Sequence, residues 1–139
     1  NDMVVVGYGA SELEDLLEVE LGTNGRYVNP DPNPEKGYFY RSDHISLAKR
    51  GVPMLYADGG FDFVNGGREA GFKFEESYRL EAYHGVADEY DPSWNLEGLN
   101  QSIDVIFNIS NELANSSNWP NWYEGNEFKA TRDASRAGK

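Results

Sequence analysis

The sequence predicts an α/β domain, with a partial, mostly parallel sheet covered by helices in a three-layer arrangement. Three observations carry this. Short β-branched runs alternate along the chain with segments of helical periodicity. The two longest helical segments each show one apolar stripe, so each has a face to lay on a sheet. At 139 residues the chain is long enough to bury one core, and it shows neither an internal repeat nor a second-domain boundary.

The elements follow in order. "MVVVGYG" (3–9) is a β-branched run ending in glycines and reads as a buried strand. "SELEDLLEVELG" reads as a helix over 12–21, with Ser11 as N-cap and Glu14 three residues on as a capping box. Its Leu13, Leu16, Leu17 and Leu21 share one face. "RYV" is a second short strand, and the closely spaced prolines of "NPDPNPEKG" make a loop. "RSDHISLAKRG" reads as a short helix capped by Ser42, with Asp43 in its first turn, Lys49 and Arg50 in its last and Gly51 after it, as the helix dipole prefers. "VPMLYADGG" is the next strand.

Residues 58–77, rich in Gly and Phe, read as a long loop, and "YRLEAYHG" as a strand leading into the acidic turn "VADEYDPSW". The longest helix is expected over 95–116, with Leu96, Leu99, Ile103, Ile106, Phe107 and Leu113 on its apolar stripe. The tail, with two tryptophans, is expected to pack as an irregular strap.

Composition excludes several classes of function. Acidic residues outnumber basic ones 24 to 12, a formal net charge of −12. Nucleic acid and anionic membrane surfaces are poor partners for such a chain, because binding there comes from Lys and Arg. With no cysteine, disulfides and thiolate metal sites are excluded. No apolar run approaches the ~20 residues of a membrane span. The opening "NDMVVVGYG" has no basic region, long apolar core or cleavage pattern, so no signal peptide is expected there.

Two small motifs have structural explanations. Gly7-x-Gly9 between a strand and a helix looks like the start of a dinucleotide fold, but the third glycine position holds Glu12, where a pyrophosphate would have to approach. A tight strand-to-helix turn accounts for both glycines. The Asn-x-Ser triplets at Asn108 and Asn115 match a glycosylation pattern that arises often by chance, and Asn108 falls inside a predicted helix.

Only two histidines are present, His44 beside Asp43 and His84 four residues before Asp88. Either alone is more in keeping with a hydrogen-bonded structural histidine than with a ligand. Their context changes the reading. "YRSDHISLAKRGVPMLY", a glycine-aromatic loop, "YHGVADEYDP" and a long helix, in that order, resemble the C-terminal part of the zinc-dependent aminopeptidases. These are co-catalytic two-zinc exopeptidases, related to glutamate carboxypeptidases and glutaminyl cyclases. "VVGYGASELEDLL" and "GNEFKATRDAS" look like the subgroup with an inserted protease-associated domain, which extends the resemblance over essentially the whole chain.

The resemblance implies specific roles. His84 would be the last zinc ligand, and Tyr83 before it would donate to the oxyanion that forms on the substrate carbonyl. Asp88 would hold the histidine loop from behind the ligand. Asp43 and His44 would shape the wall behind the site, with His44 not a ligand. Phe61 and Phe63 would line the pocket for the substrate side chain. The family's other ligands, and the glutamate that serves as general base, have no counterpart here. Residues 1–139 are therefore expected to be the C-terminal part of a catalytic domain, in which two zinc ions polarise the scissile carbonyl and activate a water.

The isolated chain is expected to bind zinc weakly and to be inactive. Its expected partners are a peptide substrate and either the missing N-terminal half or a second copy. The family's members are mostly exported, which implies a periplasmic or secreted location. A different class of reading is a complete, non-catalytic α/β binding module whose acidic face recruits a cation or a basic partner.

Overall fold

The computed structural model describes residues 1–138 and has mixed α/β architecture. Strand β1 (Asp2–Val5) leads through helix α1 (Leu13–Thr23) into β2 (Tyr27–Pro30). A 3₁₀ turn at Pro34–Lys36 precedes the short helices α2 (Tyr38–Arg41) and α3 (Ile45–Ala48), then β3 (Ala57–Gly59). Helices α4 (Gly67–Glu81), α5 (Glu97–Ala114) and α6 (Lys129–Arg136) follow.

The sheet has three strands in the order β2-β1-β3. β1 runs parallel to β2, Met3 facing Val28, and antiparallel to β3, Val4 facing Asp58. With one pair of each kind the sheet is mixed, which corrects the expectation of a mostly parallel one. Parallel pairing needs a crossover, and α1 provides it between β1 and β2.

All four β1 residues are buried, Asp2 together with the apolar run Met3, Val4 and Val5 that reads as a buried strand. Met3 and Val5, two apart and so on one side of the strand, pack with Leu17, Leu21, Val105 and Ile109. Helices α1 and α5 thus share one face of the sheet. A second cluster joins Val6, Ala10, Phe39, Ala48, Trp122 and Phe128. Gly7 serves this cluster: its φ is +78°, and a Cβ there would collide with the Phe39 ring.

Helix α1 forms largely as expected, but its capping is divided. The Glu14 carboxylate accepts the Ser11 N–H at 3.2 Å, which is one half of a capping box. The Ser11 hydroxyl instead donates to the Met54 carbonyl at 3.3 Å, so the other half is not made. Ser42 also departs from its expected place. It ends α2, donating to the Tyr38 carbonyl at 2.8 Å, and the short helix after it begins beyond His44.

The largest difference lies in residues 58–85. A long loop and then a strand are expected there, but α4 occupies 67–81 and carries "YRLE" with it. The glycines that suggest a loop gather at the helix start, and most residues after them are good helix formers. Gly71 fits because α4 passes so close to the Phe61 carbonyl that no Cβ could be placed there. The alternation Tyr78, Leu80, Ala82 is too short to outweigh that propensity.

Helix α5 matches its expected span, yet most of the expected apolar stripe faces outward, although its Leu113 packs against the core. Ile103 is 55% exposed and Phe107 65%, and Leu99 is exposed as well, whereas Val105 and Ile109 are buried. The helix is apolar over two adjoining arcs, and the narrower one packs.

The tail is partly strap and partly helix. Trp122 bridges to Ser11, is 1% exposed, and donates its indole N–H to the Gly51 carbonyl at 3.1 Å. Residues 129–136 then form α6, whose Arg136 lies 3.9 Å from the exposed Trp119 ring.

Candidate functional site

The His84 loop grows from the end of α4. The Tyr78 carbonyl accepts the N–H groups of both Ala82 and Tyr83, at 2.9 Å each, and closes the helix. The chain then turns through His84, whose φ of +60° makes it the sole non-glycine residue in the left-handed region among those described. That conformation costs a side-chain-bearing residue about 1–2 kcal/mol. Strain of this kind persists where neighbours enforce it.

Asp88 provides the enforcement. One carboxylate oxygen accepts the His84 backbone N–H at 3.0 Å, and the other accepts the Tyr78 hydroxyl at 2.7 Å. The Tyr78 hydrogen bond, and after it the His84 N–H, hold the Asp88 carboxyl below the ordinary aspartate range. The same bond raises the Tyr78 phenol. The Tyr83 ring, 52% exposed, stacks on the His84 imidazole at 3.9 Å and meets the Tyr78 ring edge-on at 5.8 Å. Tyr83, His84 and Asp88 are thus assembled in one exposed loop.

The other expected site residues make contacts of their own. Phe61 stacks on Phe72 at 4.5 Å and Phe63 tilts against Phe74 at 5.8 Å, so each packs onto α4. A cavity of about 290 Å³ lies beside Gly7–Ala10 and Tyr38–Tyr40. Another, of about 680 Å³, lies between Glu20, Arg26, Asp104 and Phe107, and neither is lined by Phe61, Phe63 or His84.

Asp43 is exposed, while His44 is half-buried between the Phe39 ring, 4.7 Å away, and the Tyr56 ring, 5.5 Å away. The His44 Nε2 is buried without a hydrogen-bond partner. Burial pushes the His44 pKa down, and the Asp43 charge opposes it only in part. This imidazole is held as a packing group.

A zinc site wants at least three protein ligands at bonding distance. Among the described residues, no three His, Cys, Asp or Glu side chains are gathered in that way. His84 offers one exposed imidazole, and Asp88 spends both oxygens on the loop. These residues alone do not fit the metal.

The glycine turn before α1 is filled from within. The Glu14 carboxylate accepts N–H groups from Gly9 and Ala10, both at 2.7 Å, and sits where a phosphate would bind. Asn108 donates to Glu20 across α1 and α5 at 2.7 Å, a structural use of that side chain.

Two residues escape sequence reasoning. Tyr78 lies in a stretch read as the start of a strand, and nothing in its spacing marks it as a partner of Asp88. Asp2 is 3% exposed and accepts from Asn29 at 2.7 Å and from the Asp62 N–H at 2.8 Å. A carboxylate abutting an apolar strand is the one signal that could have singled it out.

The sequence model of peptidase family M28 matches residues 1–110, which hold β1 through most of α5 and the whole His84 loop, and leaves the last turn of α5, the Trp122 strap and α6 outside. No curated protein and no solved structure gives a match. With about four-fifths of its length matched, and the expected family resemblance borne out, the chain belongs to peptidase family M28, the metallopeptidase family of zinc aminopeptidases and glutamate carboxypeptidases.

Proposed function

We infer that the chain contributes part of the active site of a zinc aminopeptidase, an enzyme that removes N-terminal residues from peptides. The observation that carries this is the His84 loop. An exposed imidazole stands on a strained left-handed residue, held through its backbone by Asp88 and flanked by a tyrosine. His84 is one zinc ligand in this reading. Tyr83 donates to the developing oxyanion, Asp88 fixes the loop, Asp43 shapes the wall behind the site, and Phe61 and Phe63 line the side-chain pocket.

The remaining ligands and the general base come from polypeptide outside the described residues, because one imidazole cannot enclose zinc. The chain alone is accordingly inactive. The outward arc of α5 and the open edges β2 and β3 are then surfaces that the complete catalytic domain covers, completing a three-layer α/β/α sandwich. Without that covering, they favour self-association. A periplasmic or secreted location goes with this reading.

Hydrolysis of an aminoacyl substrate by the complete peptidase tests it. Tyr83→Phe should lower kcat by about 10²–10³ with KM little changed, the usual effect of removing one oxyanion donor. Full activity in that variant would exclude the role given to Tyr83.

A further inference from the structure

We propose that Tyr78 is a positioning residue for His84, setting the left-handed turn from which the imidazole is presented. The assignment goes one residue beyond the reading of His84 as a ligand and rests on it. Tyr78 engages the loop in three ways. Its carbonyl takes the N–H groups of Ala82 and Tyr83, its ring meets the Tyr83 ring edge-on, and its hydroxyl reaches ten residues along the chain to Asp88.

Asp88 is the relay. It is exposed, so without a second anchor its carboxylate could rotate into water and release the His84 N–H. The Tyr78 hydroxyl, at 2.7 Å, supplies that anchor from the last turns of a helix, and leaves the other oxygen aimed at His84. A hydrogen bond to an ionised acceptor is stronger than a neutral one, which suits it to hold an exposed group. Among the described residues, this clamp takes His84 by its backbone and leaves both ring nitrogens to a ligand. Orientation is therefore set before anything binds, as preorganised sites require.

A role confined to helix stability would leave the loop amides indifferent to the hydroxyl, which makes its bond to Asp88, outside α4. The Tyr78 hydroxyl leaves its own helix.

The test is NMR on the isotope-labelled 139-residue chain. In Tyr78→Phe, which keeps the ring, solvent exchange of the His84 amide should accelerate about fivefold, the scale of one modest hydrogen bond. Its amide–Hα coupling should move away from that of a left-handed residue, while α4 amides keep their protection. Asp88→Ala should act in the same direction, and the double variant should be no worse than the stronger single one, because both cut the same link. If Tyr78→Phe leaves the His84 exchange rate and coupling unchanged, or loosens α4 as a whole along with the loop, the positioning role is overturned. Zinc titration of His84→Ala in the complete peptidase answers the separate question. Unchanged affinity there removes His84 as a ligand, and the loop measurements still decide the role of Tyr78.

Discussion

At His44 burial works against charge. The imidazole lies between Phe39 and Tyr56 with its Nε2 unpartnered, and its pKa falls because the charged form loses water there. The unfolded chain then binds the proton more readily than the folded one. Stability from this residue is complete above about pH 6.5, the unfolded value, and is lost as pH falls through the lower folded value. Urea titrations across that window should show wild type weakening towards acid, and His44→Phe should flatten the part of the slope that His44 causes. An unchanged slope would place the acid sensitivity elsewhere. His44 and Asp43 were legible as a motif, but not as a packing group and an exposed carboxylate, because Phe39 and Tyr56 lie five and twelve residues away and no local pattern joins them.

Among the elements, α5 separates what periodicity reveals from what it hides. A 3.6-residue apolar repeat locates a helix and its span, and the expected 95–116 lies within two residues of Glu97–Ala114 at each end. It does not say which of two adjoining apolar arcs meets the core. Val105 and Ile109 meet it, and Leu99, Ile103 and Phe107 do not. Val105→Asp should therefore cost more than about 3 kcal/mol, through an unpaired buried charge, whereas Ile103→Asp should stay within about 0.5 kcal/mol. Chemical denaturation of the two variants decides the orientation, and a reversed order would turn the helix over. Helix α4 was hidden for another reason. Its Gly66, Gly67 and Gly71 resemble loop chemistry locally, and Gly71 is explained only by the Phe61 carbonyl against it. Gly71→Ala should destabilise by about 1–3 kcal/mol despite its better helix propensity, because Phe61 and α4 must separate.

Over the whole molecule, family membership was legible where the detailed fold was not. The His44 motif and the His84 motif are local strings in a fixed order. The antiparallel β3 is three residues long and declares no direction. The chain also carries many exposed large apolar side chains, from Phe72 and Phe74 on α4 to Ile103 and Phe107 on α5, beside a net charge of −12. Charge favours solubility and apolar surface favours association. The apolar surface should prevail at high protein concentration: light scattering should give a mass that rises with concentration, and Ile103→Asp with Phe107→Lys should return it to the monomer. A wild-type chain that stays monomeric throughout would leave these surfaces without the covering role given to them.

On the proposed reading His84, and not His44, binds metal. Zinc content of the purified complete peptidase, measured by elemental analysis for wild type, His84→Ala and His44→Ala, tests it most directly. His84→Ala should lose or loosen one zinc, while folded His44→Ala should keep the wild-type content. Retention of full zinc in His84→Ala, with loss in His44→Ala, would contradict it.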